Sequence, residues 1–140
     1  MSKSKSEQQA FDHFKSGFCC SESVFKTISE VYGDNTDDSL TKLASGLVGG
    51  IGSSHEETCG ALTGGILALG YLYGRTNPDA DTTKLKEMAV EFRQRFLKQF
   101  DSTNCGVLLD RFGEQPEFHK CRDLTSKAAG ILAELLEEYK

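Results

Sequence analysis

The sequence predicts an all-α fold, a compact multi-helix bundle of about six to seven helices. Long segments repeat apolar residues at intervals of three and four, the period of an amphipathic helix. The chain has only two prolines, Pro78 and Pro116, so few positions interrupt a helix. It also lacks any Asn-Gly or Asp-Gly pair, the strongest short signal of a β-hairpin.

Size and charge limit the classes of function. With 140 residues, 38% of them hydrophobic, the chain is long enough to bury one core, and we expect a single helical domain over residues 1–140. The net charge is −5 and the Lys and Arg residues are scattered, which argues against a nucleic-acid or membrane partner. The longest charge-free run, residues 58–74, contains five glycines and is interpreted as a buried helix. With no secretory signal recognised, we expect a cytoplasmic protein.

The first half of the chain predicts three helices and a break. The first covers about residues 6–16, with Phe11 and Phe14 facing inward, and the second about residues 18–32. Gly17 and Gly33 are placed to end them. After the polar loop GDNTDD, Asp37 or Asp38 caps a third helix that carries Leu40, Leu43, Leu47 and Val48. The sequence GGIGSS then interrupts the helical pattern.

The second half predicts four more helices. One begins near Ser53 or Ser54, because each serine is followed three residues later by a glutamate in a capping-box pattern, and continues through ILALGYLYG. A long helix follows Asp81, and a short one begins within STNCGVLLDRF, capped by Ser102, Thr103 or Asn104. A final helix follows Pro116.

The five cysteines are the most informative residues. Four of them, Cys20, Cys59, Cys105 and Cys121, each lie within the first turn or two of a predicted helix. A helix N-terminus stabilises a thiolate, but four thiolates together are costly unless a cation shares their charge. If the four converge, this pattern favours a metal centre. Packing is the alternative, since free cysteine also behaves as a small buried hydrophobe. No C-x-x-C pair occurs, which argues against zinc ribbons, thioredoxin-like motifs and the bacterial ferredoxin run.

Glycines cluster beside one of these thiols. Gly60, Gly64 and Ala68 recur every four residues and form a strip with almost no side chain. Along such a strip a neighbouring helix or an inorganic cluster can approach the backbone closely. The spacing leaves both interpretations open, so Gly60 and Gly64 are candidate cofactor-binding positions.

The stretch CGALTGG, with the order of the four cysteines, resembles a family of small redox-active proteins named for the pattern C-GCAxxG-C-C. Nearly the whole chain lines up with that pattern, although Thr58 stands where the family name has glycine and Gly60 where it has alanine. The resemblance implies a helical domain with a prosthetic group, foremost an iron–sulfur cluster. A similar domain occurs in split-Soret cytochromes, which are dimeric, so a homodimer is compatible with the resemblance. No C-x-x-C-H is present, and c-type haem is not expected.

The leading hypothesis is a cytoplasmic redox or electron-transfer protein with an iron–sulfur or other metal centre bound by Cys20, Cys59, Cys105 and Cys121. Its redox partner protein is not identified, and no catalytic residue is assigned. A metal-free thiol–disulfide oxidoreductase or redox sensor is the first alternative, with Cys19 or Cys105 as the resolving thiol. A zinc-stapled or metal-free helical interaction module is the second.

Four other residues near the thiols receive weaker assignments. Cys19 points about 100° away from Cys20 on a helix and is interpreted as a packing residue or a resolving thiol. His55 and His119 lie close in sequence to Cys59 and Cys121, but solvated histidines are expected at such polar helix starts. Glu56 and Glu57 are interpreted as capping residues rather than acid–base catalysts.

Overall fold

The computed structural model describes residues 2–34 and 37–140, and within them it confirms the all-α prediction. The helices in this part of the chain are α1 (Ser2–Ser16), α2 (Cys20–Tyr32), α3 (Gly60–Tyr73), α4 (Thr83–Phe100), α5 (Cys105–Phe112) and α6 (His119–Glu138). Two 3₁₀ segments, Asp38–Leu47 and Pro116–Phe118, complete the order. Over the same ranges the only β-type pairing is one isolated bridge, between Thr58 and Asn104. No helix in the described ranges is both long and apolar enough to cross a membrane.

Helix α3 lies in the middle of the bundle because its glycines let two neighbours approach. A Cβ atom added at Gly64 would lie 2.3 Å from the carbonyl oxygen of Ser21 in α2. One added at Gly65 would lie 2.4 Å from the ring of Phe92 in α4. The charge-free run predicted as a buried helix is therefore buried by contact on both sides.

The core consists of large side chains from α2, α3, α4 and α6. Those with almost no exposed surface include Val24, Phe25, Ile28, Leu69, Met88, Phe92, Phe96, Leu132, Leu135 and Leu136. Full burial of each contributes about 1.5–3 kcal/mol relative to leaving it exposed. The rings of Phe92 and Phe96 also meet edge to face, with centroids 6.4 Å apart. This core fixes the helices whose first turns form the site described below.

Two of the predicted helices differ in their details. Helix α1 begins at Ser2, and its fully buried residues are Ser6 and Ala10, whereas Phe11 and Phe14 are only half-buried. Its neighbour α6 has a glycine at this contact, and Gly130 leaves room for the Glu7 side chain, since an added Cβ atom would lie 2.5 Å from it.

The predicted third helix is a 3₁₀ segment rather than an α-helix. Asp37 caps it as predicted, because its carboxylate accepts a hydrogen bond of 2.9 Å from the Ser39 amide. Leu43, one of the apolar residues of this segment, is 58% exposed. Residues 35 and 36 of the GDNTDD loop lie outside the described residues.

The predicted start of the fourth helix at Ser53 or Ser54 is wrong. Six residues of this loop, Gly49, Gly50, Ile51, Gly52, Ser53 and His55, have positive φ angles. A right-handed helix cannot form there, and α3 begins only at Gly60. The Ser54 hydroxyl instead donates a 2.7 Å hydrogen bond to the Gly50 carbonyl within the loop. At the start of α2, by contrast, a glutamate does cap the helix, because the Glu22 side chain accepts a 3.0 Å hydrogen bond from the Cys19 amide.

The substitution Gly64→Ala tests whether α2 needs glycine in α3. The new Cβ atom would meet the backbone of Ser21, which cannot turn aside, so we expect the free energy of unfolding to fall by about 1–3 kcal/mol. Gly70→Ala in the same helix is the control, since nothing lies within 4 Å of its added Cβ, and it should stabilise by up to about 1 kcal/mol. Urea unfolding measures both, and equal effects of the two substitutions would contradict the packing described.

Candidate functional site

All five cysteines line one cavity of about 210 Å³. Cys20 is the first residue of α2, Cys59 the N-cap of α3, Cys105 the first residue of α5, and Cys121 the third residue of α6. The predicted position of these four at helix starts is confirmed. The structure also brings the four together, as a shared site requires. Cys19, the N-cap of α2, lines the same cavity.

The walls between the thiols are mostly apolar. They are formed by Phe14, Val48, Leu108, Leu109, Phe112, Phe118 and Leu124. The remaining lining residues besides the cysteines are Gly49, Ser53, His55 and Thr125. Charges inside such a cavity are poorly screened and poorly solvated, so whatever occupies it must compensate charge itself.

Backbone hydrogen bonds hold Cys59 and Cys105 side by side. The Cys59 amide donates to the Thr103 carbonyl (2.7 Å), and the Cys105 amide donates to the Glu57 carbonyl (2.8 Å). Asn104 strengthens this junction: its Oδ1 caps α5 by accepting from the Val107 amide (3.0 Å). Its Nδ2 donates to the Glu56 carbonyl (3.0 Å). The residues at the start of α3 and those at the start of α5 are therefore held together by these hydrogen bonds.

Two glycines provide the space that two thiols occupy. A Cβ atom at Gly60 would lie 2.4 Å from Sγ of Cys20, and one at Gly50 would lie 2.6 Å from Cβ of Cys105. Gly50 also has a φ of 71°, which favours glycine independently of space. For the glycine strip, both neighbours are protein: Gly64 contacts the backbone of α2, and Gly60 contacts a cysteine sulfur. Whether Gly60 and Gly64 bind a cofactor stays a prediction.

In the protein alone, burial outweighs the stabilisation of thiolates that is expected at helix N-termini. Burial raises the pKa of Cys59 above its usual range, and the nearby Cys20 raises it further. Burial, Cys20 and Cys121 together raise the pKa of Cys105 to about 11. The pKa of Cys20 is also raised by burial, and backbone amides including that of Gly49 offset this only in part. Hydrogen bonds from a helix start do not replace the water that burial removes.

Cys121 has a polar partner that the sequence analysis missed. The side-chain amide of Gln115 donates a hydrogen bond of 3.2 Å to Sγ of Cys121. The Gln115 Oε1 atom accepts from the Cys121 amide (2.9 Å) and the Lys120 amide (3.0 Å). Burial raises the pKa of Cys121, and the Gln115 hydrogen bond lowers it in part. A glutamine directly before Pro116, at a predicted helix start, was the available signal.

The remaining candidates divide into cavity and surface residues. Cys19 is half-buried, and burial, Glu22 and Cys20 raise its pKa. His55 is exposed at the edge of the cavity, whereas His119 Nδ1 lies 3.1 Å from the Pro116 carbonyl and does not line it.

The predicted capping role of Glu56 and Glu57 is wrong, because α3 begins after them. Both residues are exposed. They contribute backbone carbonyls to the junction with α5 rather than carboxylates to a helix start.

The described residues contain no group of three or more His, Cys, Asp or Glu side chains arranged to hold a metal ion. The thiols therefore line a shared cavity without forming such a group. What the arrangement offers is four sulfur donors from four helices, on the walls of a space large enough for several atoms.

Residues 18–135 match the protein family described as "Putative redox-active protein (C_GCAxxG_C_C)". The match spans the described helices from α2 into α6 and includes every cavity cysteine. No curated protein and no solved structure is similar enough to the chain to count as a match.

The raised pKa values predict how the thiols titrate in protein prepared without metal. Ultraviolet thiolate absorbance should be absent at pH 8, and Cys105 should ionise near pH 11 instead of its ordinary 9.0. The pKa of Cys105 is higher in the folded than in the unfolded protein, so the protonated thiol favours the folded state. Its contribution to the free energy of unfolding is complete below pH 9 and is lost as the pH rises through about 11. Thiolate absorbance already complete at pH 8 would contradict the account.

Proposed function

Because the chain belongs to the C_GCAxxG_C_C family of redox-active proteins, we propose that it is an electron-transfer protein that holds an iron–sulfur cluster in the thiol cavity. One observation carries the proposal. Cys20, Cys59, Cys105 and Cys121, which are far apart in sequence and belong to four different helices, line the same apolar cavity. Four cysteine ligands are the usual complement of a biological iron–sulfur cluster.

The chemistry of the donors supports a cationic occupant. Burial keeps the four thiols protonated in the protein alone. Iron binding replaces those protons and shares the charge that the apolar walls do not solvate. A cluster supplies one-electron transfer without exchange of atoms, so the chain has only to bind it, orient it and exclude water.

Size favours a cluster over a single zinc ion. Zinc in a four-thiolate site has Zn–S distances of about 2.3 Å, which places the sulfurs about 3.8 Å apart. No group of three or more His, Cys, Asp or Glu side chains in the described residues is arranged to hold a single metal ion. A cavity of about 210 Å³ between the thiols fits a group of several atoms better. Gly60 and Gly50 are compatible with a cluster, since they leave room for the sulfur of Cys20 and the side chain of Cys105 at the cavity.

The surroundings of the cavity support the remaining parts of the proposal. Apolar walls and burial are means by which a protein sets the potential of a cluster. Free thiols persist in a reducing compartment, so we propose a cytoplasmic location. The net charge of −5 favours a redox partner protein over nucleic acid or a membrane.

A metal-free thiol–disulfide redox protein is the second candidate, favoured by one observation. Cys19 lies in the cavity with the four other thiols, as a resolving thiol would. In that case two thiols form a disulfide and release two electrons and two protons to an oxidant such as a second disulfide. The raised pKa values weigh against it, because thiol–disulfide exchange proceeds through thiolates.

Anaerobic purification with iron and sulfide tests the proposal. The wild-type protein should be brown and contain iron and acid-labile sulfide. Separate Cys→Ser substitutions at positions 20, 59, 105 and 121 should each lose most of the iron, because each removes one ligand. Cys19→Ser is the matched control, since it lines the same cavity but is not one of the four proposed ligands, and it should retain iron.

Three results would decide against the cluster. A colourless, iron-free wild type would reject it outright. About one zinc per chain with no redox response would select the zinc-stapled module. A loss of two free thiols on mild oxidation, absent in Cys19→Ser, would select the disulfide mechanism.

A further inference from the structure

Thr125 lines the cavity and has an unpaired hydroxyl. It lies on α6, its side chain is fully buried, and it is one of the lining residues. Its Oγ1 atom has no hydrogen-bond partner among the described residues. A buried hydroxyl without a partner destabilises a fold, and an acceptor bound in the cavity would remove that cost for Thr125.

This combination is specific to Thr125 within the described ranges. The other buried hydroxyls there that lack a partner, Ser6, Ser23, Thr27 and Thr41, do not line the cavity. A helical threonine often bonds the carbonyl four residues earlier, which here belongs to Cys121, yet that bond is absent. The same spacing puts Thr125 one turn beyond Cys121 on the same face of α6.

We propose that the Thr125 hydroxyl donates a hydrogen bond to a sulfur atom of the bound iron–sulfur centre, an inference that rests on the proposed function. Gln115 donates a comparable hydrogen bond to one of the proposed ligands, since its side-chain amide donates to Sγ of Cys121. Both donors lie near Cys121 in the chain, whereas most of the other residues that line the cavity are apolar or cysteine. Hydrogen bonds to cluster sulfurs favour the reduced, more negative state, so Thr125 raises the reduction potential.

Thr125→Val tests this inference because it removes the hydroxyl and keeps the shape. Without metal, the variant should melt at or above the wild-type temperature, since it loses only an unsatisfied group. Loaded with iron and sulfide, it should have a more negative midpoint potential, and its Fe–S vibrations should be less sensitive to D₂O. Thr125→Ser retains the hydroxyl and should keep both properties near wild type.

Thr27→Val is the matched control. Thr27 is equally buried and equally unpaired but lies outside the cavity, so its substitution should leave the potential unchanged. A loaded Thr125→Val protein with the wild-type potential would overturn this inference and leave the cluster in place. So would a lower melting temperature of metal-free Thr125→Val beside an unaffected Thr125→Ser, because the hydroxyl would then have a partner within the fold. A wild type that takes up no iron and sulfide would reject the proposed function and this inference together.

Discussion

The close approach of α2 and α3 is the constraint on which the site depends. At Gly64 the two helices touch backbone to backbone, and at Gly60 the sulfur of Cys20 lies where a side chain would otherwise be. Both helices begin at this contact, so Cys20 and Cys59 meet there. The glycines that weaken α3 as an isolated helix thus have a physical role beside the thiol. The junction between residues 57–59 and 103–105 then adds Cys105, and α6 adds Cys121.

Burial and charge act in opposite directions at this site. The apolar walls that stabilise the fold raise the pKa values of the thiols, and the helix N-termini do not reverse that effect. A thiol-lined, mostly apolar cavity of this kind binds a cation strongly only if several thiols lose their protons together. In our proposal the iron–sulfur cluster meets that requirement, and the donors near Cys121 tune it.

Much of the fold could be predicted from periodicity, including most helices and the cysteines at their starts. Local pattern failed where tertiary contacts or backbone strain decide. The capping-box pattern at Ser53 and Ser54 was overridden by a loop with positive φ angles, and residues 38–47 form a 3₁₀ segment. Burial decides the direction of the thiol pKa shifts, and burial is a property of the folded chain. The role of Gln115 depends on a side-chain contact with Cys121, six residues further along the chain. The single domain over residues 1–140, the redox partner and a homodimer stay predictions.

Iron K-edge X-ray absorption of the anaerobically loaded protein tests the central claim most directly, because it reports which atoms surround the iron. Our account predicts a first shell of sulfur alone, followed by a short iron–iron distance, since four thiolates and bridging sulfides would surround more than one iron. A first shell of oxygen or nitrogen, or the absence of any iron–iron signal, would contradict it. Either result would mean that the cavity thiols do not share a cluster.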